Sequence, residues 1–139
     1  MSASTTAKAV VVHDLSQALV ALAAAGHWKA SIAIWSAPGA ASYAGVGWFA
    51  ALVRLSVAAQ PGAKAIFVLD CADRADLVRD AFRMGLRDVC FTGRSDIAER
   101  LAQIGRKSRA RLHRKRVRAL ELSGLCDRER TLRDFLGGN

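Results

Sequence analysis

Four short apolar runs rich in β-branched residues, separated by stretches with helical spacing, constrain the fold of this chain most. The runs are Ala9–His13, Ser31–Trp35, Ala65–Leu69 and Asp88–Thr92. Continuous apolar runs of this length are typical of strands that are buried on both faces. Strands that alternate with helices favour right-handed crossovers and a parallel sheet. The sequence therefore predicts an α/β domain, a three-layer sandwich with four parallel strands.

The positive charge is concentrated in the C-terminal part of the chain. Residues 1–105 carry ten Lys/Arg and eight Asp/Glu, whereas residues 106–139 carry eleven and four, within a net charge of +9. The stretch 106–118 holds eight basic residues and no acid. This asymmetry predicts a domain at 1–105 followed by a basic helical C-terminal extension at 106–139.

Several classes of protein are excluded by what the sequence contains. No apolar run approaches the roughly 20 residues that a membrane-spanning helix needs, and the first eight residues do not have the pattern of a secretory signal. We therefore expect a cytoplasmic protein without a membrane span. The odd number of widely spaced cysteines indicates reduced thiols. With three histidines, no zinc site of the usual spacing is expected.

The stretches "AIFVLD" and "RADLVRDAFRMGLRDVCFTG" resemble the second half of a response-regulator receiver domain, and "SIAIWSAPGAASYAG" falls where the phosphoacceptor strand would lie. The resemblance implies a flavodoxin-like or receiver-like sandwich. The active positions of receivers differ, because the phosphoacceptor aligns near Ser36, the hydroxyl residue with Asp70 and the lysine near Gly93. A shortened relative of this kind is not expected to accept a phosphoryl group in the usual way.

A second resemblance rests on the motifs "HDL", "SAPGAASYAGVGWF" and "LDCAD". At these three places the chain is similar to a family of small uncharacterised bacterial α/β proteins. The resemblance extends from Val10 to about Leu101 and leaves out the basic extension. The resemblance implies an α/β domain and does not imply any activity.

The carboxyl ends of the predicted strands supply the candidate ligand site, since open parallel sheets bind ligands there. The loop 39–47 is rich in small residues and precedes a helix, a pattern that favours an anion, although tight packing of helix on strand explains the glycines equally. The candidate ligand-binding residues are Asp14, Ser36, Gly39, Ser42, Gly45, Gly47, Asp70 and Thr92.

Two carboxylates flank Cys71 and are the strongest candidates for a catalytic or metal-binding site. Asp70 and Asp73, with His13, could act as acid and base or hold a divalent ion. The two aspartates could equally serve as a turn residue and an N-cap. Cys71 beside carboxylates is expected to have a raised pKa, and Cys90 is expected in the core. Whether the chain is an enzyme, and which cofactor it would use, stay open.

The basic extension has three interpretations. It could fold back on the body or on a partner subunit, bind nucleic acid through phosphates, or lie on an anionic membrane face. Without aromatic residues or a reading helix, binding to nucleic acid would be indifferent to sequence. The candidate phosphate-binding residues are Arg106, Lys107, Arg109, Arg111, Arg114, Lys115, Arg116 and Arg118.

The sequence thus favours a non-catalytic binding or regulatory domain that recognises a small anionic ligand or a protein partner. A small enzyme that uses the strand-end carboxylates is the first alternative, and a nucleic-acid accessory protein is the second. An open sheet edge and helices rich in Ala and Leu also predict a homo-oligomer.

Overall fold

The computed structural model describes residues 8–123 and 128–137, and it contains one six-stranded parallel sheet. The four apolar runs form strands that are separated by helices, as predicted. In the described part of the chain, no helix is long and apolar enough to span a membrane. The elements are β1 (Lys8–Val11), α1 (Leu15–His27), β2 (Ile32–Trp35), α2 (Ala40–Tyr43), α3 (Val46–Ala59), β3 (Ala65–Asp70), α4 (Ala75–Arg83), β4 (Asp88–Cys90), α5 (Ser95–Lys107), β5 (Arg111–His113), β6 (Leu120–Glu121) and α6 (Arg128–Gly137).

The sheet corrects the prediction of four strands. β1 to β4 overlap the four apolar runs, but β5 pairs with β4 and β6 pairs with β1, both in parallel. Both added strands lie in the stretch predicted to be helical. Arginine and lysine have high helix propensity, and strands of three and two residues are too short to show an alternating pattern. β5 and β6 cover the edges of β4 and β1 that would be open in a four-stranded sheet. These edges therefore no longer support the prediction of self-association.

The strands lie in the order β5-β4-β3-β2-β1-β6. From β1 to β5 the order in space follows the order in the chain. In a flavodoxin-like sheet β1 lies between β2 and β3, whereas here it lies between β2 and β6. The class of fold, α/β with a parallel sheet, is confirmed, and the strand order differs from that of receivers.

The chain divides into two compact units, of which the first comprises Met1–Trp35, Leu52–Ile66 and Arg118–Asn139. In its described residues, β1 and β2 are buried along almost their whole length. Asp14, a candidate ligand-binding residue, is the N-cap of α1, and its side chain accepts a hydrogen bond from the Gln17 amide at 2.8 Å. Helix α6 contacts α1, and the Lys8 ammonium donates to the Phe135 carbonyl at 2.6 Å. The residues around Cys126 lie outside the described chain.

The second unit comprises Ser36–Ala51 and Phe67–Val117. Its core consists of β3 and β4 together with one apolar face of α4 and of α5. A Cβ atom at Gly105 would lie 2.9 Å from Cζ of Phe82. Glycine at 105 therefore lets the end of α5 approach the end of α4 closely.

Candidate functional site

The carboxyl end of β3 in the second unit places Asp70 beside Ser36. Asp70 is the last residue of β3, and both residues are buried. The Asp70 amide donates to Oγ of Ser36 at 2.9 Å, and that hydroxyl donates to the Ala37 carbonyl at 3.1 Å. The Ser36 hydroxyl therefore holds backbone groups together at the strand ends.

Arg116 occupies the position beside this carboxylate. Its Nη1 donates to Oδ2 of Asp70 at 2.8 Å and to the Ser36 carbonyl at 3.2 Å. The other carboxylate oxygen, Oδ1, accepts from the Ala72 amide at 2.7 Å. The side chains are 3% exposed for Asp70 and 26% exposed for Arg116. Asp70 thus forms a buried ion pair with Arg116, and both oxygens of its carboxylate accept hydrogen bonds.

The structure brings together two residues that the sequence assigned to different sites. Asp70 was a candidate catalytic and ligand-binding residue, and Arg116 was a candidate phosphate-binding residue. Their separation of 46 positions gives no local sequence signal for the contact. The same holds for Asp88, which sequence reasoning missed: its Oδ1 lies 3.0 Å from Nε of Arg111 and 2.9 Å from Nε2 of His113.

The thiols of Cys71 and Cys90, the two cysteines in the described part of the chain, are unreactive at neutral pH. Burial, and then the negative charge of Asp70, raise the pKa of Cys71 to about 12, which confirms the predicted direction. Burial and the same charge raise the pKa of Cys90 to about 12. Both thiols are buried and stay protonated at neutral pH. Neither has the thiolate character that a nucleophile needs.

The remaining catalytic candidates are exposed. The predicted N-cap role of Asp73 is wrong, because α4 begins at Ala75 and Arg74 is at the cap position without a side-chain hydrogen bond. Arg74 instead pairs with Asp76 at 2.8 Å. In the first unit, Nε2 of His13 lies 2.7 Å from Oε1 of Glu121.

The segment 39–47, predicted to be a loop, contains α2 and the first residues of α3, and two of its glycines are required by backbone conformation. Gly39 has φ 67° and Gly45 has φ 98°, which L side chains rarely adopt. A Cβ atom at Gly39, Gly45 or Gly47 would meet nothing closer than 3.8 Å, so tight packing does not require these glycines. The Ser42 hydroxyl, in α2, donates to the Gly39 carbonyl at 2.9 Å. Thr92 is exposed, and its amide donates to the Ala72 carbonyl at 2.8 Å.

The eight predicted phosphate-binding residues have different surroundings. Arg116 and Arg111 pair with the buried carboxylates described above, and Nη1 of Arg114 lies 4.0 Å from Glu99. The other five are exposed: Arg106, Lys107, Arg109, Lys115 and Arg118.

A cavity of about 550 Å³ lies between α1 and α6 in the first unit. Its lining includes the apolar Leu19, Val20 and Ala23 together with Trp28 and Arg133. The sequence did not indicate this cavity, because its two walls are more than 100 positions apart in the chain.

No family model and no curated protein matches the sequence. Among solved structures, a chain described as a "putative fructose-1,6-biphosphate aldolase" from Coccidioides immitis is similar, with a TM-score of 0.54 and 21% sequence identity. The similarity covers 74% of this chain and 37% of that one, so this chain spans well under half the length of that protein. At this identity the similarity describes the fold and not the activity.

Proposed function

We propose that this chain is a non-catalytic binding domain that recognises an anionic partner. The observation that carries the proposal is the ion pair between Arg116 and Asp70. A general base must come within hydrogen-bonding distance of the proton that it removes. Asp70 is 3% exposed, and both its carboxylate oxygens accept hydrogen bonds from the chain itself. In this arrangement Asp70 supports the strand ends, and it is not available to a substrate.

The other groups at these strand ends support the same proposal. The thiols of Cys71 and Cys90 are buried, with pKa values raised to about 12. The hydroxyl of Ser36 is buried and hydrogen-bonded to the backbone on both sides. A nucleophile needs an adjacent base that is free to accept its proton, or a lowered pKa. The two thiols have raised pKa values, and the nearby Asp70 carboxylate is already held by Arg116 and the Ala72 amide.

The preference for an anionic partner rests on charge. The chain carries a net charge of +9, with a pI near 10.5. A charge of this size attracts polyanions and raises the rate at which they associate. Among the described residues, Arg111 and Arg116 neutralise buried carboxylates, whereas most of the other cations of the extension are exposed.

A turnover assay on the full chain tests the absence of catalysis. The purified protein is incubated with panels of phosphate esters, sugars and carboxylates, and each mixture is followed by NMR for both binding and conversion. We expect binding signals without new products. Conversion that Asp73→Asn or His13→Gln abolishes, while the circular dichroism spectrum stays unchanged, would overturn the proposal. Both residues are exposed, so these variants should fold.

Two further features belong with this proposal. A layered sandwich, with cover on both faces of the sheet, is supported by the complete burial of β2 and by the usual burial of parallel sheets. Self-association is supported by exposed apolar side chains on α3, where Leu55 is 48% and Val57 is 50% exposed. Sedimentation velocity of the full chain measures self-association directly.

A further inference from the structure

Six cations of the second unit lie where α4 and α5 end and where β4 and β5 begin, a surface that we call the basic edge. The close approach of Gly105 to Phe82 places the two helix ends side by side. The Arg111 amide donates to the Arg87 carbonyl at 2.7 Å, which joins the starts of the two strands. The cations of the basic edge are Arg83, Arg87, Arg106, Lys107, Arg109 and Arg111.

Arg109 has a left-handed backbone conformation, which residues other than glycine rarely adopt. The amide of Ala110 donates to the Gly105 carbonyl at 2.8 Å, and that of Arg109 donates to the Arg106 carbonyl at 3.2 Å. This is a Schellman ending, in which the residue at the position of Arg109 is left-handed and is most often glycine. Arg109 has φ 60°, whereas the matching position after α4 holds Gly85, with φ 84°. Arginine at 109 therefore has a conformational cost that glycine would not incur.

Most of the charge at the basic edge is not neutralised. Arg83 pairs with Asp80 at 3.0 Å, and Arg111 pairs with Asp88 at 3.0 Å. The other four cations are exposed and form no ion pair with any residue that the structure describes. A group of exposed cations with this little compensation produces a positive potential suited to a polyanion. The four are Arg87, Arg106, Lys107 and Arg109.

The composition of the basic edge favours phosphate over other anions. Five of its six cations are arginines, and the planar guanidinium matches the geometry of phosphate oxygens in a way that lysine does not. The centres of protein–protein interfaces are enriched in aromatic residues, whereas Phe82, the aromatic residue that lies beside Gly105 at this edge, is buried. Without groups that read base edges, contact with phosphates is indifferent to sequence.

We propose that the basic edge binds the phosphate backbone of nucleic acid. The inference rests on the proposed binding function and names its partner. It differs from the assignment made from sequence, because it adds Arg83 and Arg87, which precede the basic extension, and leaves out four residues. Arg116 is paired with Asp70, and Arg114, Lys115 and Arg118 lie beyond the end of β5.

Fluorescence anisotropy of the full chain with labelled oligonucleotides of about 20 nucleotides tests the inference over salt concentrations of about 50 to 300 mM. Two unrelated duplexes should bind with equal affinity. If about four phosphates are contacted, the slope of log K against log salt should be about −3 to −4. Arg109→Gly should weaken binding several-fold and reduce the slope by about one.

The chain offers a matched control for Arg109→Gly. Lys29 follows α1 in the same left-handed conformation, with φ 52°, and lies outside the basic edge. Lys29→Gly removes the same charge and relieves the same backbone strain, and it should leave the affinity and the slope unchanged. Both variants should melt at or above the temperature of the unmodified chain. Arg106→Gln, at another exposed position, provides a second test.

The inference is overturned by any of three results. These are the absence of oligonucleotide binding at about 50 mM salt, equal losses in Arg109→Gly and Lys29→Gly, and equally tight binding of phosphatidylserine vesicles or heparin. If heparin binds and oligonucleotides do not, the proposed binding function stands and the named partner is wrong. Turnover in the assay described above would overturn the proposed function without affecting the oligonucleotide result.

Discussion

Arg116 donates to the Asp70 carboxylate at 2.8 Å, across 46 positions of the chain. The contact joins the end of β3 to the segment between β5 and β6. It also changes the interpretation of both residues, because a strand-end carboxylate that could serve catalysis is held by the chain's own guanidinium. A buried ion pair of this kind is costly to break on one side, since the remaining charge is left without a partner.

The two halves of this pair should differ in their effect on stability. Arg116→Met leaves the Asp70 carboxylate 3% exposed and without its cation, so the free energy of unfolding should fall by about 3–5 kcal/mol. Asp70→Asn leaves an arginine that is 26% exposed and can turn toward water, so the loss should be smaller. Urea denaturation measures both values. A smaller loss in Arg116→Met than in Asp70→Asn would contradict this account.

Removal of residues 106–139 should prevent stable folding. It deletes β5 and β6, uncovers edges of β4 and β1, and removes Arg116 together with Leu122 and Leu132, which are fully buried. Each of the lost leucines alone should cost about 2–5 kcal/mol, and domains of this size have about 5–15 kcal/mol in total. Circular dichroism of the fragment 1–105 should show little cooperative melting. A sharp thermal transition of that fragment would support the domain boundary predicted from sequence.

Gly105→Ala should destabilise the second unit. The new Cβ atom would lie 2.9 Å from Phe82 and 3.2 Å from the Ala110 carbonyl, and overpacking of this kind costs about 1–3 kcal/mol. Gly26→Ala is the matched control, because nothing lies within 4 Å of its Cβ position near the end of α1. The control should raise stability by up to about 1 kcal/mol. Thermal melting of the two variants in opposite directions is the expected result.

The buried thiols predict a loss of stability in alkali. The pKa values of Cys71 and Cys90 are raised from 9.0 to about 12 in the folded chain. The folded state therefore holds these protons more tightly, and the stabilisation is fully present below pH 9 and is lost as the pH rises toward 12. In that pH range each thiol lowers the free energy of unfolding by about 1.4 kcal/mol per pH unit. The double variant Cys71→Ala, Cys90→Ala should show a shallower decline in urea denaturation than the unmodified chain, and equal slopes would contradict the assignment.

The sequence predicted the elements whose formation depends on residues close together in the chain. The four apolar runs predicted β1 to β4, because the burial of a strand depends on the character of neighbouring residues. β5 and β6 were missed because two or three residues paired to a distant strand carry no pattern of their own. Helix α6 lies in the C-terminal extension that was predicted to be helical.

The candidate site was predicted in part for the same reason. The sequence correctly placed Asp70 and Ser36 at the ends of strands and gave the direction of the Cys71 pKa. It could not show that Arg116 reaches Asp70, or that Arg111 and His113 reach Asp88, because these contacts join residues 23 to 46 positions apart. Charge counts treated every cation of the extension as available, whereas the fold pairs some of them with buried carboxylates.

A double-mutant cycle on Asp70 and Arg116 tests the central claim most directly. The free energy of unfolding is measured for the unmodified chain, Asp70→Asn, Arg116→Met and the double variant. If the pair is an internal structural contact, the double variant should lose much less stability than the sum of the single losses, by at least about 1 kcal/mol. Strictly additive losses would contradict the claim, because they would mean that the carboxylate and the guanidinium do not act on each other in the folded chain.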